Sequence, residues 1–438
     1  MSAALRQSFA SLAVPNYRLY FSGMLASLAG SWMQIVAELW LILELTGSGV
    51  AVGVATALQF TGLLLFGAWG GALADRFDKR RLLMLTQAAL ALPALALLAL
   101  WAGGLVTVPL VLGLIAVRGM AMAVDIPLRQ AFVIEIVGRD RVVNAVSLNS
   151  VLVQGARIVG PALAGIIIVF FGVGPVFAIN AATFGVMVLM LARMDPTRLG
   201  SAATPRTGPA IGSSAEGSRG SGVREALRYV RRTPELRGPL ALMAVLGTFG
   251  FNFHVVLPLL ARFSFGGEIA QYSALLVAMG LGAITGALVY GASGRTGPRV
   301  VGTAALGFGA AAVLAALAPT LQLEMIALAL LGAAAVVFAA AISSGLQLDS
   351  APEMRGRVMG LYSVVFVGTT PIGGPLAGWL GGAISPRASL LLAGAAGVVV
   401  AVAAAYLSRR GSSWAERAAG CRHREKDSPT GELSAVAG

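Results

Sequence analysis

The sequence predicts an all-α membrane protein, with twelve transmembrane helices in two pseudo-symmetric six-helix halves. Three observations carry that prediction. The 438 residues are 57% hydrophobic and 12% charged, against roughly 25% charged in a soluble domain, so polar side chains are too few to cover a globular core. The apolar residues gather into runs of about 20, the length that spans a bilayer. A pattern near the end of the first half also returns in the second.

The first six runs fall near residues 19–45, 50–73, 82–103, 106–128, 143–171 and 174–194. The second six fall near 238–261, 270–293, 299–318, 321–347, 357–382 and 387–408. Glycine and proline inside them are tolerated in lipid where neighbouring helices satisfy the backbone, and small residues let helices approach closely. The domains expected are therefore a first half over 1–194, a linker over 195–237, a second half over 238–408 and a disordered tail over 409–438. The early linker, rich in Ser, Gly and Pro, has no apolar period and reads as flexible. Its later part, VREALRYVRRTPELRG, spaces Val223, Leu227 and Val230 among arginines, as in a short amphipathic helix on a membrane surface.

All but four of the 32 Lys and Arg residues fall on one side of this arrangement, together with both termini and the linker. Positive loops stay in the cytoplasm, which predicts a bacterial inner-membrane protein with both ends inside. RDRVVNAVSLNS (139–150) followed by VGPALAG (159–165) parallels MRGRVMGLYSVV (354–365) followed by GGPLAG (373–378). Two duplicated halves place a substrate site at their interface near mid-membrane.

Composition excludes several classes. A net charge of +13 would suit nucleic acid only if gathered on one soluble face, so no nucleic-acid partner is expected. One Cys and two His leave no material for a metal or haem site, and no cofactor is expected. No Gly-rich phosphate loop precedes either lysine, so ATP is not the direct drive.

The loop GALADRFDKRR (71–81) resembles the cytoplasmic loop signature of the major facilitator superfamily. Gly71, Asp75, Arg76, Lys79 and Arg80 match it, with Leu73, while Asp78 stands where that family usually has glycine. A carboxylate among cations at a helix end can latch onto a neighbouring helix, and the resemblance implies a gate on the inner side. Asp125 and Asp349, near the ends of helices four and ten, are expected to latch with loop arginines as part of that gate. GARIVGPALAG (155–165) resembles the fifth-helix motif of antiporter members, through Gly155, Gly160, Pro161 and Gly165; ordinary small-residue packing accounts for the same glycines. The opening segment 15–53 is similar to the enterobactin-exporter-like branch, whose members are implied to export siderophores, drugs or other amphiphilic molecules by proton exchange.

Charges within the membrane are costly unless paired or facing a cavity. Glu38, Arg118 and Arg157 fall at mid-bilayer by helix counting and are expected to meet in the first half as a proton-coupling group. A static ion pair that fixes packing is the other reading. Trp32, Gln34, Asn252 and His254 are candidates for the substrate cavity. The expected function is therefore proton-coupled efflux of an amphiphilic small molecule, by a monomer in the lipid bilayer. A gradient-independent facilitator or lipid transporter is the alternative, with a membrane enzyme behind it.

Overall fold

The computed structural model describes residues 10–138, 141–199 and 219–410. The described residues contain twelve helical stretches long and apolar enough to cross a membrane, in the order expected. The first half consists of α1 (Pro15–Thr46), α2 (Gly49–Arg76), α3 (Lys79–Ala102), α4 (Val108–Val137), α5 (Val142–Phe171) and α6 (Gly174–Ala192). The linker contributes α7 (Arg219–Arg232). The second half follows with α8 (Pro234–Phe249), α9 (Phe253–Ser264), α10 (Ile269–Ser293), α11 (Pro298–Leu317), α12 (Leu321–Asp349), α13 (Arg355–Gly368), α14 (Thr370–Ala383) and α15 (Pro386–Arg410). Residues 200–218 of the early linker and the tail beyond residue 410, expected to be flexible or disordered, lie outside the described residues, whereas 219–222, also expected to be flexible, form the first turn of α7.

Two spans expected as single helices are broken. Between α8 and α9 the chain leaves the helix at Gly250, and the Asn252 side-chain amide donates to the Thr248 carbonyl at 2.7 Å. That bond recaptures an acceptor which the break would leave bare in the membrane interior. Between α13 and α14, Pro371 lacks the N–H that a continuous helix would direct back one turn. The two breaks pack together: a Cβ on Gly247 would lie 2.6 Å from the Thr369 hydroxyl, and Gly373 abuts the Thr248 carbonyl.

The halves touch unevenly along the membrane normal. At the end opposite the linker, α2 and α14 meet backbone to backbone. A Cβ on Gly53 would sit 2.5 Å from the Gly374 carbonyl, and Gly49 and Gly378 approach more closely still. Gly165 on α5 meets Ser273 on α10 near the same end. Toward the linker end the contact fades: α14 buries Gly373, Gly374, Ala377, Gly378 and Gly381, whereas α13 buries only Val358.

Helix α7 is amphipathic as expected, with a different inner face. Ala226 and Val230 are buried, while Leu227 is 38% exposed, and the side chain of Val223 lies outside the described residues. Glu225 pairs with Arg357 at 2.9 Å, and the Tyr229 hydroxyl accepts from the Ala351 N–H at 3.2 Å. These contacts pin α7 to the start of α13, so part of its apolar face is spent on protein.

Asp78, the departure from the expected glycine, caps α3 by accepting from the Arg81 N–H at 2.9 Å. Asp78→Ala should therefore cost about 1 kcal/mol and Asp78→Gly only a few tenths. Thermal unfolding in detergent checks this, and equal losses for the two variants would dismiss the cap.

Candidate transport site

Helix α1 presents polar groups inward over one helical turn. The Gln34 amide donates to Glu38 Oε1 at 2.6 Å, and Arg118 Nη2 of α4 donates to Glu38 Oε2 at 2.6 Å. Glu38 is 1% exposed and Arg118 2%. Arg118 Nη2 also reaches Gln59 Oε1 at 3.2 Å, and the Asn180 amide of α6 donates to Gln34 Oε1. The Thr183 hydroxyl closes the chain at 3.0 Å from Asn180 Oδ1. Glycine makes this convergence possible: a Cβ on Gly119 would lie 2.5 Å from the Gln59 carbonyl, and one on Gly30 would collide with Asn180 and Thr183. The result is a continuous network through α1, α2, α4 and α6, in which the carboxylate has both a cation and a neutral donor.

Arg157 does not join it. The third member of the expected group stands on α5 with its guanidinium 5.2 Å from the centre of the Trp32 ring and one donor 3.4 Å from Gln154 Oε1. Helix counting gives depth but not azimuth, and α5 turns this residue toward the gap between the halves.

That gap holds a cavity of about 70 Å³, partly open at its mouth. Trp32, Gln154 and Arg157 line it from the first half, and Phe253 and His254 from the second, with small and aliphatic residues of α10 and α12 completing the wall. The Trp32 and His254 rings stack at 5.6 Å with 27° between planes, and the Phe60 ring lies 6.5 Å from His254, tilted by 35°. Of the four expected cavity residues, Trp32 and His254 line it. Gln34 is instead fully buried in the polar network, and Asn252 is 4% exposed at the helix break. Both were expected in the cavity because they are polar, but buried backbone and carboxylate partners claim them first.

The gate residues also separate. Lys79 Nζ pairs with Glu135 Oε2 at 2.8 Å, and Arg80 donates to the Leu191 and Ala192 carbonyls, each at 2.7 Å, at the C-terminus of α6. Arg76 is exposed at the end of α2, and Gly71 and Asp75 lie outside the described side chains. Asp125 departs from expectation. It pairs with Arg129 one turn along its own helix at 2.5 Å and accepts from Thr86 at 2.8 Å and Gln87 at 2.7 Å. It belongs to a second buried polar cluster between α3 and α4, not to a latch with loop arginines. Asp349 is the last residue of α12. The fifth-helix glycines divide their work: Gly160 packs against Trp32 of α1, Gly165 against Ser273 of α10, and Gly155 faces open space. They form no single stripe for one partner, and Pro161 is buried between them.

Sequence reasoning passes over Gln59, Gln87, Arg129, Asn180 and Thr183. The usable signal was the same for all: a strongly polar side chain inside an apolar run. It also passes over Glu324, a fully buried carboxylate in the first turn of α12.

Comparison with known proteins agrees with this architecture. The chain is 27% identical over 396 residues to the enterobactin exporter EntS of Salmonella choleraesuis, covering 88% of this chain and 90% of that one. It is 23% identical over 273 residues to the staphyloferrin A transporter of Staphylococcus aureus, covering 62% of this chain and 66% of that relative, just under two thirds. A structure of a variant of the nucleoside transporter NupG superposes with a TM-score of 0.70 at 15% identity, over 89% of this chain and 98% of that one, which shows the fold. The profile of the family described as "Transmembrane secretion effector" matches residues 6–427. With twelve spans, two halves and a cavity between them, the chain belongs to that transporter family of the major facilitator superfamily.

Proposed function

We propose that this transporter is a proton-coupled exporter of an amphiphilic small molecule, working as a monomer in the bacterial inner membrane with both termini in the cytoplasm. The observation that carries the reading is the cavity between the halves, together with the tight α2–α14 glycine contact at the end opposite the linker and its absence along the sparsely buried α13. Positive loop residues gather at that end, so the state described is the one that loads from the cytoplasm. Rocking of the halves about the cavity would then open the far side. Helix α1 couples the two sites in this scheme, since Trp32 faces the cavity while Gln34 and Glu38 face the proton-coupling network with Arg118. The exporters among the similar proteins support the outward direction, and a cavity built within one chain supports the monomer.

The complete satisfaction of Glu38 by Arg118 and Gln34 favours a second reading, a facilitator in which the pair is structural. Proteoliposomes separate the two. Export predicts accumulation of an amphiphilic substrate against its gradient only while a pH gradient stands, with collapse on adding a protonophore. Equilibration that is indifferent to the pH gradient would make the facilitator correct.

A further inference from the structure

We propose that the cavity takes amphiphilic anions, with a planar ring of the ligand laid against the Trp32–His254 pair and its anionic group held by Arg157. The inference rests on the transport reading above and narrows its substrate class.

Among the described residues, Arg157 is the only charged side chain in the cavity wall, and none of those lining it is a carboxylate. Among the described residues it forms no salt bridge. Its one hydrogen bond among the described residues is the long contact with Gln154, which leaves most of its five N–H donors without an acceptor among them. The buried acids of the first half are committed elsewhere, Glu38 to Arg118 and Asp125 to Arg129. An unpaired cation at this depth is costly unless it faces water or a counter-charge, and Arg157 is exposed to the cavity. A ligand carboxylate supplies that counter-charge in the planar, bidentate geometry that a guanidinium prefers. A cationic ligand would meet repulsion there with no acid to offset it.

The remaining wall suits the rest of such a molecule. Arg157 and His254 each lie against the Trp32 ring, with Phe60 near His254 and Phe253 in the wall. A flat ring can lie against these aromatic groups, while the aliphatic surface of α10 and α12 covers the ligand's apolar part. Because Trp32 and His254 come from different halves, a ligand laid against both reports to both halves at once.

The test uses three probes of one size: 2-naphthoate, 2-naphthamide and 2-naphthylmethylammonium. Equilibrium dialysis against the purified full chain in detergent, with protein-free micelles subtracted, gives each affinity without any gradient. The naphthoate should bind about tenfold tighter than the amide, and the ammonium more weakly than either. Arg157→Gln should bring the naphthoate to the level of the amide while leaving the amide unchanged, and Arg157→Lys should keep part of the preference. An unchanged melting temperature in both variants excludes misfolding as the cause. Equal affinity for the three probes, failure of the naphthoate to bind, or an undiminished preference in Arg157→Gln would overturn the proposal. None of these results bears on proton coupling, which the liposome assay decides separately.

Discussion

Glu38→Gln should abolish uphill transport in proteoliposomes while leaving substrate binding in the cavity close to that of the parent protein. Glu38 is 1% exposed and does not line the cavity, so neutralising it removes the carboxylate without altering the binding wall. It also leaves Arg118 buried with only Gln59 and an amide for partners. Removing one member of a buried pair typically costs about 3–5 kcal/mol, because the remaining charge is uncompensated. The variant should accordingly melt at a visibly lower temperature. The double variant Glu38→Gln with Arg118→Met removes both charges and should regain much of that stability, since replacing a buried pair by groups of similar volume is often neutral. It should not regain coupling. Stability and transport thus move apart in the double variant, which separates a coupling role from a packing role. Uphill transport at the parental rate in Glu38→Gln would make the pair a structural element only.

Gly378→Val should act just as strongly at the other end of the cavity. Gly378 lies against the Gly49 carbonyl, and Gly53 sits opposite Gly374, so a branched side chain has nowhere to go while α2 and α14 remain in contact. Neither backbone can yield cheaply, because each is a continuous helix held by its own hydrogen bonds. Overpacking of this kind costs about 1–3 kcal/mol, which changes a two-state ratio by roughly 5–150-fold. The closed end is therefore expected to open, with the population shifting toward the opposite-facing state and transport falling by an order of magnitude or more. Cysteine substituted for Val50, beside the contact and 40% exposed, should react faster with an impermeant thiol reagent when Gly378 is Val. Cys421 must be replaced first so that the new thiol is the only one. Unaltered labelling together with normal transport would show that the contact does not hold the closed end.

The two variants probe different links of one mechanism. Glu38→Gln leaves the conformational equilibrium with its steric determinants intact and removes the charge that is expected to bias it. Gly378→Val leaves the charge and alters the steric determinant. If the protonation state of Glu38 acts through the contact between halves, combining the two should show non-additive effects on labelling.

Sequence alone determined the number and order of the spans, because an apolar run of about 20 residues has few places to go other than lipid. It also determined that Glu38 and Arg118 needed partners, since unpaired charge in a bilayer is so costly. Their meeting followed from equal depth on helices of one bundle. Depth, however, is one coordinate and packing needs two. The azimuth that turns Arg157 into the cavity, Gln34 and Asn252 away from it, and Asp125 toward Arg129, Thr86 and Gln87 comes from how helices press together. That pressing is governed by close approaches such as Gly160 on Trp32 and Gly119 on Gln59, which no helical period encodes. The breaks at Gly250–Asn252 and before Pro371 were equally out of reach. Glycine and proline recur throughout these spans, and only tertiary contact decides which of them interrupts a helix. A membrane sequence therefore specifies what must be buried and at what level, while the packed bundle decides which neighbour each buried group receives.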